Sequence, residues 1–497
     1  MLKKKIVTNF KILNNKIIKN VNSLSLLVIF IAFLSSVLLS KYYLDNYDVN
    51  VSSGGSTYHK MIKTDSHRYL SHGAEIKEQI KNGINFFETG RDHYTKYLPP
   101  RIAALYYSFF DINFSENPKT GQVNTGNHFF YLLFQNLFYF LSITFLYFRT
   151  LEILDKKILL FSLLFLCFEP TIFQYHSSFW SESIFFSFQI IILGLMLTKK
   201  KSFYLYLIIG LLVGLLSLQR QLAIFYIIPI LIYTYFFDKK KLFINFPLII
   251  LGFFIIQIFL GVNNFKRSGK FYIMTADSKV EMHRNLVVKV MTKKLKVSNK
   301  EFEEFEGKKS LEWIIKNDMK TSLDYDKIKI GNAFTFYRDL LSESDKVIFD
   351  GFIRKRTFTY IYQNPIDFFK FSFNSAIHLP LLNPFHIYSE NHFKSSEIYY
   401  LSEKHNQLIP IRVVYSVLIY FFIVFGLIHF FSKKDYKTLF YLIISFLYFY
   451  ATVFWHGNTR YFLPSYIYLS IFFGAGLNYI TFKIRAYLKK NNIKISK

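Results

Sequence analysis

One cysteine, Cys167, stands among 497 residues, so no intrachain disulfide can form and the long polar segments must hold together without one. Acidic residues are scarce, with 33 Asp and Glu against 61 Lys and Arg and a formal net charge of +28. That excess is not pooled in a basic domain interleaved with stacking aromatics, which excludes a nucleic-acid partner. No phosphate-cradling glycine loop, nucleophile elbow or dinucleotide fingerprint occurs, which argues against a soluble nucleotide donor. His59, His67, His72 and His93 lie in one polar segment. None has the spacing of a zinc motif and no cysteine accompanies them, so no metal site is expected.

Apolar side chains, by contrast, are abundant. Hydrophobic residues make up 52% and aromatics 20% of the chain, above the roughly 45–50% apolar usage of soluble domains. Runs at 24–39, 242–260 and 413–431 carry almost no charge over about 16–20 residues, the length that crosses a bilayer core as a helix. Inside lipid the backbone must satisfy its own hydrogen bonds, so these runs are helices. The first follows a basic stretch but shows no small-residue cleavage site after it, and reads as a retained span.

The lysines punctuate the apolar runs as cytoplasmic anchors do: Lys3 to Lys5, Lys156 and Lys157, Lys199 to Lys201, Lys239 to Lys241, Lys433 and Lys434, Lys489 and Lys490. If every cluster is cytoplasmic, each consecutive pair encloses an even number of crossings. Five hairpins satisfy this, with spans near 23–42 and 128–148, 158–174 and 179–197, the two halves of 203–237, 242–262 and 413–431, and 439–454 and 461–482. The 203–237 run would make a helix of roughly 52 Å, too long for one crossing of a core about 30 Å thick. It is expected to break at Gln219, Arg220 and Gln221, with Arg220 at the non-cytoplasmic surface.

The expectation is an all-α polytopic membrane protein with about ten transmembrane helices and two large extracytoplasmic loops. Residues 1–262 form an N-terminal transmembrane module that includes the first loop at 43–127, residues 263–410 the long loop, and residues 411–497 a C-terminal hairpin region with a basic cytoplasmic tail.

Nearly every unusual polar residue near a span falls at an outward end: Asp65, Glu169, Glu182, Arg220, His456 and Arg460. Helix centres almost free of charge favour a surface reaction over transport. Asp65 opens an amphipathic helix with Tyr69 and His72 on its face, and is either an N-terminal cap or a general base. Lys96 and Arg101 flank a Pro-Pro step that can start a helix lying on the membrane surface. They either snorkel to headgroups or clamp a phosphate. Glu182 begins a span, where the helix N-terminus favours its charge. Arg220, and Arg460 in the short His456-to-Pro464 turn, interrupt apolar sequence at the outer rim, where a lipid phosphate is the nearest abundant anion.

These landmarks resemble the GT-C superfamily of membrane glycosyltransferases, the group containing protein O-mannosyltransferases and bacterial aminoarabinose transferases. The order matches: Asp65, Tyr69 and Ala74 in the first outward loop, then Pro99-Pro100, then Pro170 and Glu182, then Gly210, Gly214 and Arg220 closing a glycine-bearing span, then Arg460-Tyr461 and Pro464. It covers roughly residues 20–260 and 410–482, with a weaker echo at Asn364-Pro365. Departures lie in Gln221, where the family often has Pro, in a single Asp in place of a paired acidic motif, and in a low span count.

The resemblance implies transfer of a sugar from a polyprenyl-phosphate donor to the hydroxyl of a glycan, lipid or protein acceptor at the outer face of a bacterial inner membrane, with both termini cytoplasmic. Asp65 would be the base. Arg220 and Arg460, with Lys96 or Arg101, would hold the phosphate, with Tyr69, Glu182 and His456 beside them. Three other readings share the topology: a lipid-linked oligosaccharide polymerase or ligase, a transporter, and a non-enzymatic assembly protein.

Overall fold

The computed structural model describes residues 22–46, 51–53, 56–58, 65–86, 88, 97–111, 128–176, 179, 181–199, 202–238, 242–273, 280, 282–319, 334–378, 397–451 and 459–490. They are helical but for one short hairpin, β1 (Val51–Ser53) against β2 (Ser56–Tyr58). The helices are α1 (Ser23–Asn46), α2 (Asp65–Lys81), α3 (Leu98–Phe109), α4 (Phe129–Thr150), α5 (Lys156–Phe168), α6 (Pro170–His176), α7 (Glu182–Met196) and α8 (Phe203–Gln219). A 3-10 segment (Gln221–Tyr226) then leads into α9 (Ile227–Phe237) and α10 (Leu242–Ser268). A π turn (His283–Val287) opens a second group: α11 (Val288–Leu295), α12 (Asn299–Lys316), α13 (Phe334–Asp339), α14 (Glu343–Gln363) and α15 (Pro365–His378). The chain closes with α16 (Glu397–Lys433), α17 (Tyr436–Ala451) and α18 (Thr459–Lys490).

Five of these helices hold stretches long and apolar enough to cross a membrane, Ser23–Tyr42, Phe129–Thr150, Leu242–Lys266, Val413–Lys433 and Phe462–Lys490. Shorter apolar helices stand at Glu182–Met196, Phe203–Gln219, Gln221–Phe237 and Tyr436–Ala451. Leu34, Leu38, Phe254, Ile258, Val417 and Phe421 are each more than two-fifths exposed. So much uncovered apolar surface on successive helix turns is what lipid, not water, solvates. The chain is an integral membrane protein.

Side-chain contacts give each helix its direction. Tyr147 in α4 meets Asn22 at 2.7 Å while Asn136 bonds Ser36 and Ser40, so α1 and α4 are antiparallel. Phe138 lies against Phe188, and Phe145 and Leu146 against Gly194, so α4 and α7 are parallel. α8 and α10 also run parallel: Gly210 faces Ile249 and Phe253, Gly214 faces Ile256, and Gln257 bonds Ser217 at 2.7 Å. A Cβ at Gly210 would collide with the Ile249 carbonyl and one at Gly252 with that of Leu207, so two glycines let these backbones touch. Because α8 and α10 point the same way, the segment 221–237 must return between them, as the length of the apolar run requires. Tyr448 bonds the Leu222 carbonyl while Phe440 packs on Phe237, which sets α17 antiparallel to α9. Phe165 against Tyr466, and Ile158 and Ser162 against Gly474, set α18 antiparallel to α5.

These directions gather Arg149, Lys156, Lys157, Lys199, Lys433, Lys434 and Lys437 at one end of the bundle. The opposite end carries α2, α3 and the π-turn-to-α15 group. The main core lies between the ends, with Ile143, Leu166, Phe185, Ile190, Val213 and Tyr468 fully or nearly fully enclosed.

The expected 158–174 span differs in one respect. It stops at Phe168, Glu169 turns extended (φ −60°, ψ 117°), and α6 restarts at Pro170. Proline lacks the amide that would continue the ladder and pushes the preceding residue out of the helical region. Glu169 then caps the new turn, accepting from the Ile172 amide at 2.8 Å.

Candidate functional site

At the end opposite the lysines, α8 terminates because Arg220 adopts an extended backbone (φ −148°, ψ 124°) between α-helix and 3-10 turn. Its guanidinium reaches back to the first residue of α7, with Arg220 Nη1 2.7 Å from Glu182 Oε1 and both side chains buried. Gln219 donates to the Ser181 carbonyl at 2.9 Å and Ser181 Oγ to Glu182 Oε2 at 3.3 Å. The positive end of the α7 dipole and a full cation thus meet on one carboxylate. The first anion that Arg220 meets is therefore Glu182, a pairing that sequence alone does not display.

Directly beneath, Tyr226 Oη contacts the hydroxyls of Tyr441 at 2.8 Å, Tyr468 at 2.5 Å and Ser445 at 3.2 Å, tying the 3-10 segment to α17 and α18. One hydroxyl has one proton and two lone pairs, so three partners satisfy it. Beside Glu182, Ser183 Oγ bonds His176 Nδ1 at 2.8 Å, and the ring of His176 stacks on Tyr139 at 3.5 Å.

α3 starts on Pro99 and Pro100, whose missing amides cost nothing in a first turn. Arg101 is 2% exposed and therefore does not snorkel. It folds over the Tyr97 ring at 3.5 Å and donates to the Tyr97 carbonyl at 3.1 Å. Burial brings the Arg101 guanidinium down to about 10, against the compensating pull of Tyr97, which leaves it charged at neutral pH. Tyr97 Oη in turn accepts from Asn263 at 2.9 Å, which fastens α3 to the end of α10.

α2 packs on α3 through Gly73, where a Cβ would meet Ala103 at 2.6 Å. Leu70, Ala103, Tyr107, Leu132 and Phe179 bury against one another and join this pair to the bundle. Tyr69 is 6% exposed. Asp65 is the first residue of α2, and its side chain lies outside the described residues, as do that of Arg460 in the first turn of α18 and the whole of Lys96 and His456.

A small pocket of about 10 Å³, room for about one water, lies where these parts converge, lined by Tyr97, Ser217, Leu218, Gln221, Ile224, Leu260 and Ile273. Tyr97, which touches Arg101, and Gln221, the residue after Arg220, both line it, while the two arginine side chains do not. Among the described residues, no group of His, Cys, Asp and Glu stands close enough together to hold a metal ion.

A second polar centre, unsignalled by any motif, sits in the π-turn-to-α15 group. Arg356 donates to both oxygens of Glu306 at 2.6 and 2.9 Å, Tyr360 donates at 2.6 Å, and His283 Nε2 lies 3.2 Å away, an ion-pair contact without hydrogen-bond alignment. Burial pushes the Glu306 carboxyl up, but the contacts with His283 and Arg356 outweigh it and hold it at about 2. Arg338 and Asp350 form a second buried, two-point pair at 2.6 and 2.9 Å. Neither is visible in sequence, because the partners stand on different helices and no spacing rule joins them.

No protein-family model matches the chain, and no curated protein matches it.

Proposed function

We propose that the chain is a GT-C-type glycosyltransferase that moves a sugar from a polyprenyl-phosphate donor to an acceptor hydroxyl at the face opposite the lysines. On this reading the nine apolar helical segments and α5 all cross the bilayer and the lysine-rich end is cytoplasmic. The membrane is a bacterial inner membrane with both termini on its cytoplasmic side.

The observation that carries the reading is that Arg101, Arg220 and α2, which Asp65 opens, stand together at the bundle end opposite the lysines. The small pocket there has apolar walls from Leu218, Ile224 and Leu260 and polar groups from Tyr97, Ser217 and Gln221. Arg220, positioned by Glu182, and Arg101, positioned by Tyr97, stabilise the phosphate as the glycosidic bond breaks. Arg460, Lys96 and His456 complete the anion site, while Tyr69 orients α2 so that Asp65 takes the acceptor proton.

The test is transfer of labelled sugar from a polyprenyl-phosphate pool in membranes carrying wild type or Asp65→Asn. Transfer by wild type alone supports both the reaction and the base. Equal transfer by the two moves the assignment to a polymerase or ligase, and transfer by neither above empty membranes removes the enzymatic reading.

A further inference from the structure

The π-turn-to-α15 group carries a surface that the proposed reaction does not use. Lys294 at the end of α11 bonds Asp367 at 2.8 Å and Asn364 at 2.5 Å, which brings the end of α11 against the start of α15. On the inner side of this joint Phe368 is 4% exposed, enclosed with Leu286 and Met291. On the outer side Leu295, Ile366 and Phe369 are 52%, 67% and 69% exposed. Three large apolar side chains thus project from one joint. Lys289, Lys293 and Lys296 lie exposed on the same short helix and its cap, and make no ion pair among the described residues.

Bulky apolar groups ringed by unpaired lysines are the signature of an element that lies in a lipid headgroup layer. Two facts single out the bilayer as the occupant. The group is tied to α10 through Lys270, which donates to the Ser344 carbonyl at 3.2 Å at the start of α14, and α10 is itself one of the long apolar helices. The chain then re-enters the bundle through α16, so lipid is the one partner permanently held within reach, at high effective concentration. Cations that make no ion pair among the described residues complement anionic headgroups.

We propose that this joint docks on the anionic lipid surface of the protein's own membrane, with Leu295, Ile366 and Phe369 entering the headgroup–acyl boundary and Lys289, Lys293 and Lys296 meeting lipid phosphates. The proposal rests on membrane insertion and not on sugar transfer.

The lone cysteine makes the test clean. In a full-length Cys167→Ser background, Phe369→Cys and separately Leu295→Cys carry an environment-sensitive fluorophore and are reconstituted in zwitterionic bilayers with or without phosphatidylglycerol. The expected result is quenching by brominated acyl chains and shielding from aqueous iodide when anionic lipid is present. Both effects should be lost in high salt or when Lys289, Lys293 and Lys296 are all replaced by Glu. Iodide access in both bilayers would overturn the proposal in favour of a solvated surface. Shielding that ignores lipid charge and disappears as protein is diluted in lipid would overturn it in favour of a second copy.

Discussion

Among the buried carboxylates, Glu182 and Glu306 are each held by an arginine. Removing one partner of a buried pair strands the other charge, which costs about 3–5 kcal/mol. Glu306→Gln should therefore lower the unfolding temperature and speed amide exchange in α12 and α14 while leaving the bundle protected, as hydrogen-exchange mass spectrometry of the reconstituted protein would read. A carboxyl held at about 2, below its value of about 4.3 in an unfolded chain, contributes stability that is complete above the unfolded value. That contribution is lost as pH falls through the folded one. Exchange in α12 and α14 should thus rise between about pH 4.3 and 2, and Glu306→Gln should flatten the rise. For the other pair, Arg220→Leu and Glu182→Leu should each destabilise strongly. The double substitution should recover much of the loss, because two apolar groups leave no orphaned charge. A double variant that is stable yet inactive in the transfer assay separates structural from catalytic use of the pair.

Among the elements, legibility followed the physics of each boundary. The break at Arg220 could be read because 35 apolar residues exceed the bilayer and a charge marks the middle. The break at Glu169 is harder to foresee, because it lies near the outward end of a run short enough for one crossing, although Glu169 itself and proline's missing amide both mark it. α2 opens at Asp65, and α3 carries Pro99 and Pro100 in its first turn, where a missing amide is tolerated. The Arg220–Glu182 contact was illegible because it depends on how α7 and α8 meet, which no local pattern encodes. The His283–Glu306–Arg356 centre was hidden for the same reason. Gly210, noted in sequence as part of a glycine-bearing span, gains a concrete role at the α8–α10 contact. Gly210→Val should force the helices apart and cost about 1–3 kcal/mol, seen as lower yield of folded protein in size-exclusion chromatography, whereas substitution of the exposed Ile208 should not.

For the whole molecule, an even number of crossings between successive lysine clusters implies a definite sidedness. In the Cys167→Ser background, Glu152→Cys near the lysine-rich end and Asn82→Cys just beyond α2 should react with a membrane-impermeant maleimide from opposite sides of sealed vesicles. Reaction of both from one side would refute the alternating arrangement.

The extended backbone at Arg220 also bears on biogenesis. An insertion channel meets residues 203–237 before α10 exists to lie beside α8, and at that moment only one cation distinguishes two short helices from a single long, tilted one. Replacing Arg220 by Leu would remove that distinction while α9 is being threaded. A fraction of chains should then carry every later helix upside down, with α18 and its lysines delivered to the wrong compartment. Protease protection of a C-terminal tag would count that fraction, and the lysines flanking 203–237 should limit it, because a single crossing strands one of the two clusters on the side that repels it.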